Sequence, residues 1–360
     1  MHGERILITG GAGFIGSRLG RALVDAGADV LAFDNLHPQV HGPAPVLNLA
    51  MPLVRGDVRD RAALQAVVTE YLPTIVVHLA AETGTGQSAD EPSRYAEVNV
   101  VGTAHLIEVM RSASQPPRRV LLAATRAVYG EGAYAGAAGE LVVPAPRKTA
   151  DMAAGIFDLF DAAGQRLEPM PTPEDIRLVP GSVYGSTKLM QEYLLTQTVV
   201  PWQTVRLRLQ NVYGPGQSLR NPYTGVLSIF CQQAMDGRTL NIYEDGHIHR
   251  DFVFVDDVVS AFVAACTADA ALDPVINIGS GRRASILDVA RLILTSLGLD
   301  PERLAVTGAF RAGDIRHAVA DITLAGKLLA WAPRVSLEDG VNALATWARE
   351  QNGSVKPHGN

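Results

Sequence analysis

Three groups of residues in this 360-residue chain have the types and spacing to do chemistry together. Tyr184 and Lys188 stand four apart in VYGSTKLM, a spacing that sets both side chains on one face of a helix. An ammonium held beside a phenol stabilises the phenolate, so a hydroxyl with an ordinary pKa of about 10 is drawn toward neutrality and becomes a general base. The pair gains specificity from what opens the chain. Residues 6–16 read ILITGGAGFIG, a β-rich run emptying into Gly10, Gly13 and Gly16 before a helix that begins near Phe14. Such glycines let the backbone turn tightly, approach a pyrophosphate and pack a helix on a sheet, while the helix N-terminus attracts the anion. The third group is acidic. Asp34 ends the next apolar run, about 20 residues beyond the glycines, where its carboxylate can accept from ribose hydroxyls and would repel a 2′-phosphate. That favours NAD over NADP. Asp57, in RGDV after a third run, is placed to reach the adenine amino group.

These groups need elements that bring them to one edge. Apolar β-rich runs at 6–9, 30–33, 53–56, 75–79 and 120–123 alternate with helix-like stretches. That rhythm predicts an α/β fold, a Rossmann-type doubly wound parallel sheet, followed by a smaller C-terminal substrate-binding domain. Between 130 and 180 the composition shifts to Ala, Gly and Pro, with one helix-like piece around 151–163. This stretch, about 131–180, separates residues that must meet, so an insertion at the rim of the site is expected. A helical pattern over 182–198 and a strand over 204–209 follow. The expected division is therefore an NAD-binding domain over 1–205, with 250–270 packing back on it, and a mainly substrate-binding domain over 206–350. The latter carries helical patterns at 286–297 and 337–350, and a polar tail from 351 is expected to fray.

With 47% hydrophobic and 19% charged residues the chain can bury a sizeable core. A net charge of −6 and 31 scattered Lys and Arg argue against a nucleic-acid partner. No stretch of about 20 apolar residues predicts a spanning helix, and the N-terminus lacks the basic and apolar regions of a secretory leader. Cys231 and Cys266 are too few for a disulfide framework or a cysteine zinc site, so no metal is expected and a reducing cytoplasm is the expected compartment.

Seven motifs in register then resemble the extended short-chain dehydrogenase/reductase family, specifically its nucleotide-sugar epimerases and dehydratases. They are TGGAGFIGS at the start, HLAAETG at 78–84, NVVGT at 99–103, TRAVYG at 125–130, YGSTK, RLQNVYGPGQ at 208–217 and RDFVFVDDV at 250–258. The resemblance implies a proton relay of Thr125, Tyr184 and Lys188, with Lys188 also on the nicotinamide ribose. It implies a cofactor groove that includes Phe14, Ile15, Asn35, Val58, Leu79, Ala80 and Ala81, supported by Asn99. It places Asn211, Arg250 and Arg311 on the diphosphate of a nucleotide-sugar substrate, where arginine forks fit phosphate well. Glu82, Thr83 and Arg126 are further substrate contacts on this reading, and a homodimer is the expected assembly.

Family members share oxidation at the sugar C4 and then diverge. Dehydratases carry Asp and Glu directly after the catalytic Thr; here Arg126 and Ala127 stand there, and neither titrates as an acid/base. Oxidative decarboxylation, which keeps the Glu, is disfavoured on the same ground. Inversion is left. The runs at 208–225 and 123–134 look most like the branch that epimerises dTDP-L-rhamnose to dTDP-6-deoxy-L-talose, although the zinc-binding cysteines of related insertions are missing from 131–180. Three alternatives stand beside this reading. An NADPH-dependent 4-ketoreductase is opposed by Asp34, a 4,6-dehydratase would need an unusual acid, and a catalytically silent nucleotide-binding protein is opposed by the intact relay.

Overall fold

The computed structural model describes residues 1–43, 45, 47–219, 221, 225–268 and 274–353. From 354 onward the tail expected to fray lies outside them, as do Arg220 and 222–224 of the 208–225 run. Seven parallel strands form the main sheet, in the order Val275–Ile278, Gln203–Leu209, Arg119–Thr125, Ile75–His78, Arg5–Thr9, Asp29–Asp34 and Leu53–Arg55. The period-two alternation of Arg5–Thr9 explains why helices cover both faces. Ile6 and Ile8 point into one core with Leu19, Leu23 and Phe262, while Leu7 points into the other with Leu64, Val76 and Leu106. Register sets Thr9 beside His78 and Phe33, and Thr125 beside Leu209. The strand ends therefore line up along one carboxyl edge. The chain order reverses between Arg5–Thr9 and Ile75–His78, which opens the crevice there.

Two expectations change. The boundary at 205 falls inside the strand Gln203–Leu209, and the sheet continues to a seventh strand, Val275–Ile278. The apolar run VINI covers an edge that would otherwise expose unpaired backbone groups. The helix Val255–Thr267 packs beside Phe14–Asp25 on the same face, burying Val258, Val259 and Phe262. The second change is in the insertion, where the helix expected over 151–163 is only Thr149–Ala153. Gly155, at φ 78°, ends it, and the Asp161 carboxylate accepts from the Ala163 and Gln165 N–H groups to form a turn. The segment instead builds a small sheet in which Tyr134–Ala135 pairs with Leu141–Val142 and Glu168–Pro169.

The C-terminal half has its own core. Tyr213, Phe230, Ile242 and Phe252 pack there among the helices Val226–Met235, Ile286–Ser296 and Leu337–Gly353. Among the described residues no helix is long and apolar enough to cross a membrane.

Candidate active site

At the carboxyl edge the helix Phe14–Asp25 begins at Gly13 with no side chain capping its first N–H groups, which leaves those donors for an anion. Gly10 has φ 73°, and a Cβ there would stand 2.7 Å from the Ala80 nitrogen. Only glycine fits both conditions. At Gly16 a Cβ would collide with the Gly10 carbonyl. The bare backbone thus faces a cavity of ≈ 150 Å³ lined also by Gly13, Asp34, Asn35, Asp57 and Val58, and on the far side by Leu79, Ala80, Ala81, Glu82 and Thr83. Phe14 and Ile15 do not line it: Phe14 packs on the core of the C-terminal half and Ile15 on both that core and the main sheet's.

Asp34 is buried, and its two oxygens accept from the Ala12 N–H at 3.0 Å and the Leu36 N–H at 2.9 Å. Each oxygen keeps a lone pair for a further donor. Asp57 is more committed: Arg59 donates to it at 3.0 and 2.7 Å and Asn35 at 3.0 Å. The Arg59 bonds, led by its side chain, hold this carboxyl down at about 2. A glycine cradle, an uncapped helix start and a buried carboxylate with spare lone pairs are features that fit a dinucleotide. Motif reading missed the outer wall, formed by His37, Gln39, His41 and Arg94. Gln39 donates to Gln87 at 2.8 Å, and Arg94 donates to Gln39 at 3.2 Å and to Glu82 at 2.8 Å. These partners are up to 55 residues apart, and no local pattern marks them.

Thr125 closes the strand Arg119–Thr125, and its hydroxyl caps the next turn by accepting from the Ala127 N–H at 3.2 Å. Ser182 caps the helix Val183–Gln197 by accepting from Gly185 at 3.0 Å, which fixes the turn carrying Tyr184. The Tyr184 phenol faces Thr125, whose side chain favours the phenolate. Its amide donates to Ser88 Oγ at 3.1 Å and its ring meets Tyr95 edge-on, 6.4 Å between centroids. Asn99 sits in the π-helical turn Ala96–Val101 and does not line the cavity. It accepts from the Glu82 N–H at 2.8 Å and donates to Thr187 at 3.0 Å, so it bolts the 81–82 loop to the helix of Tyr184 and Lys188.

One electrostatic expectation fails here. Burial raises the Tyr184 phenol above its ordinary value, opposed by the Thr125 side chain and the charge of Arg126. Lys188 does not draw it down. Burial pushes the Lys188 ammonium itself down to about 7, opposed by Glu192 one turn along. The reason is desolvation, which disfavours phenolate and ammonium alike. Lys188 also acts on His78, which burial and that neighbouring charge depress to about 3. His78 bonds Thr9 at 2.7 Å and Thr103 at 2.9 Å.

A family model described as the NAD dependent epimerase/dehydratase family matches residues 6–149 and 161–279. The chain belongs to this family. It is 43% identical to the dTDP-L-rhamnose 4-epimerase of Burkholderia thailandensis over 98% of this chain and 96% of that protein. Among solved structures, the UDP-glucose 4-epimerase of Thermotoga maritima with UDP-glucose is 29% identical at a TM-score of 0.78, covering 97% of this chain and 99% of that one. The Thermus thermophilus UDP-glucose 4-epimerase in complex with NAD is 26% identical at 0.73, covering 96% and 99%. The family is NAD-dependent.

In the C-terminal half, Arg250 donates to Asp314 at 2.8 Å, to the Ile315 carbonyl at 2.9 Å and to the His249 carbonyl at 2.9 Å. It thereby anchors the loop that carries Arg311, which is exposed and stacks 5.2 Å over Tyr243. Asn211 Oδ1 is buried without a hydrogen-bond partner among the described residues. Glu82 turns to Arg94 on the cofactor side, and the Thr83 carbonyl accepts from Tyr95 at 2.6 Å. Sequence reasoning missed the seam between the insertion and the C-terminal half. There Arg316 pairs with Glu244 at 2.8 Å, Asp245 at 2.7 Å and Asp158 at 2.9 Å, while Arg147 pairs with Glu244 at 2.8 Å. Glu131 accepts from the Arg316 N–H at 2.8 Å, and burial raises its carboxyl.

Proposed function

We propose that the protein interconverts dTDP-L-rhamnose and dTDP-6-deoxy-L-talose by oxidising C4, rotating the 4-keto sugar and reducing its other face. One observation carries the chemistry: Tyr184 and Thr125 stand together at the carboxyl edge that also holds the glycine cradle. The 43% identity to an enzyme of that name supports the sugar.

When bound, NAD accepts the C4 hydride and gives it back. Thr125 donates to the reacting oxygen, while Tyr184 takes the hydroxyl proton and later returns it. Arg126 and the Thr125 side chain work against the burial that raises Tyr184, which eases both transfers. Lys188, held at about 7, orients the nicotinamide ribose and shares the proton. Gly10, Gly13 and Gly16 receive the cofactor pyrophosphate and Asp34 its ribose, with Asp57 on the adenine side. Asn211 and Arg311 hold the substrate diphosphate, and Arg250 positions Arg311 through Asp314. In this scheme residues 206–350 mainly bind substrate, apart from the sheet strands and the helix Val255–Thr267 that return to the cofactor half. Val101, Met190 and Tyr193, exposed on neighbouring helices, offer an apolar face for a second copy of the chain in a cytoplasmic dimer.

Two measurements test the proposal. Turnover in D₂O yields a C4 epimer of unchanged mass, and substrate deuterated at C4 keeps its label. Deuterium taken up from solvent on carbon would instead indicate dehydration or an enol. Tyr184→Phe retains NAD yet loses turnover by roughly a hundredfold or more, the usual scale for removing an acid/base. A requirement for added NADPH would move the reading to a ketoreductase.

A further inference from the structure

Beside Arg126 lies a second cavity, of ≈ 10 Å³, lined by Arg126, Tyr129, Glu131, Thr172, Gln210 and His317 among others. Its volume is about that of one water-sized sphere. Most of its polar lining is already satisfied. The Tyr129 hydroxyl donates to Asn277 at 2.7 Å and Thr172 Oγ1 accepts from the Ala133 N–H at 3.1 Å. Glu131 accepts from Arg316, and the His317 Nδ1 stands 3.0 Å from the His249 Nδ1. Two groups are left over. Gln210 is buried, and its Oε1 has no hydrogen-bond partner among the described residues. Arg126, directly after the relay residue Thr125, makes no hydrogen bond or ion pair among them, and the Asp314 and Glu131 carboxylates act on it only from beyond hydrogen-bond distance.

An amide oxygen without a donor beside a guanidinium without an acceptor is an incomplete set, and a buried polar atom left unpaired carries a desolvation cost. One small group that both donates and accepts completes it. A hydroxyl does so; a methyl pairs with neither group, and an N-acetyl or carboxylate group exceeds the space.

We propose that Arg126 and Gln210 form a subsite for one non-reacting ring hydroxyl of the sugar, with Arg126 donating to it and Gln210 Oε1 accepting from it. The proposal rests on the nucleotide-sugar reading above and adds the group that the enzyme selects. Gln210 is then a specificity residue, and a sugar lacking that hydroxyl leaves both partners unpaired.

The test is the Kd, by calorimetry, of dTDP-L-rhamnose, its 2-deoxy and 3-deoxy analogues and dTDP alone, for the wild-type holoenzyme and for Gln210→Leu. Wild type should bind one deoxy analogue at least about tenfold more weakly than the parent, the scale of a hydrogen bond to a charged group. In Gln210→Leu that gap should shrink to within about twofold, with dTDP affinity unchanged. Gln210→Glu, which gives Arg126 an internal partner, should weaken the parent sugar and spare the deoxy analogue. Equal binding of parent and both analogues by wild type, or a gap that survives Gln210→Leu, overturns the subsite and leaves a pocket for an ordered water only. If dTDP-L-rhamnose binds no tighter than dTDP, the substrate assignment fails, and UDP-glucose with its deoxy analogues decides the subsite by the same criteria.

Discussion

In the cofactor cleft the shape-defining contacts are made by main-chain atoms, whereas at the seam holding residues 131–180 to the C-terminal half they are made by charged side chains. The cleft depends on what is missing: no Cβ at Gly10 or Gly16, and no side-chain cap at Gly13. The seam depends on what is present, Arg147 and Arg316 set among Glu131, Asp158, Glu244 and Asp245. Removing one member of such a buried set leaves its partners charged and unpaired, while adding one methyl to the cleft blocks a ligand. The two regions should therefore fail differently, the first in binding and the second in stability.

The largest effect is expected at the seam. Arg316→Met should cost about 3 kcal/mol in urea unfolding, because it leaves the buried Glu244 to Arg147 alone and takes the ion-pair partner from Asp245. A loss under about 1 kcal/mol would mean the seam is not held by charge. Gly10→Ala should cost at least the about 1–2 kcal/mol of an alanine at positive φ and, because its Cβ would also meet the Ala80 backbone, should strip NAD from the purified protein, as nucleotide release on denaturation would reveal. Full NAD occupancy in that variant would break the contrast from the other side.

A third prediction sharpens the picture within the cleft through pH. Lys188 is held at about 7 against an ordinary 10.5, so between those values the unfolded chain binds the extra proton and stability rises with pH. The penalty is complete below about 7. Lys188→Met should therefore raise the melting temperature most at pH 6 and by a shrinking margin toward pH 10. A constant margin would show that Lys188 keeps its ordinary pKa. The smallest effect belongs to a charge pair at the cleft's rim, where Arg59 is 45% exposed against Asp57. Arg59→Ala should change stability by under about 1 kcal/mol, and by less in added salt.

Legibility divides along the same line. Glycine spacing and the Tyr184 and Lys188 pair are features a few residues long, so they could be read directly. The apolar runs of the sheet strands were legible for the same reason. The helix expected over 151–163 misled because its composition favours helix while Gly155 and the Asp161 turn decide otherwise. Arg250 looked like a phosphate ligand, yet its partners include Asp314, 64 residues away. Nothing near Gln210 announced a buried amide without a partner.

By itself the sequence determined the apolar strand runs, the bare backbone at the glycines and the four-residue spacing that sets Tyr184 and Lys188 on one helix face. These follow from steric and hydrogen-bonding rules acting within one turn of chain. The tertiary structure alone decided which charges meet, that Val275–Ile278 completes the sheet, and which cation faces Tyr184. Burial also reversed the expected direction of the Tyr184 shift. Desolvation and Coulomb interactions depend on where the whole chain excludes water, a property no short window of residues contains.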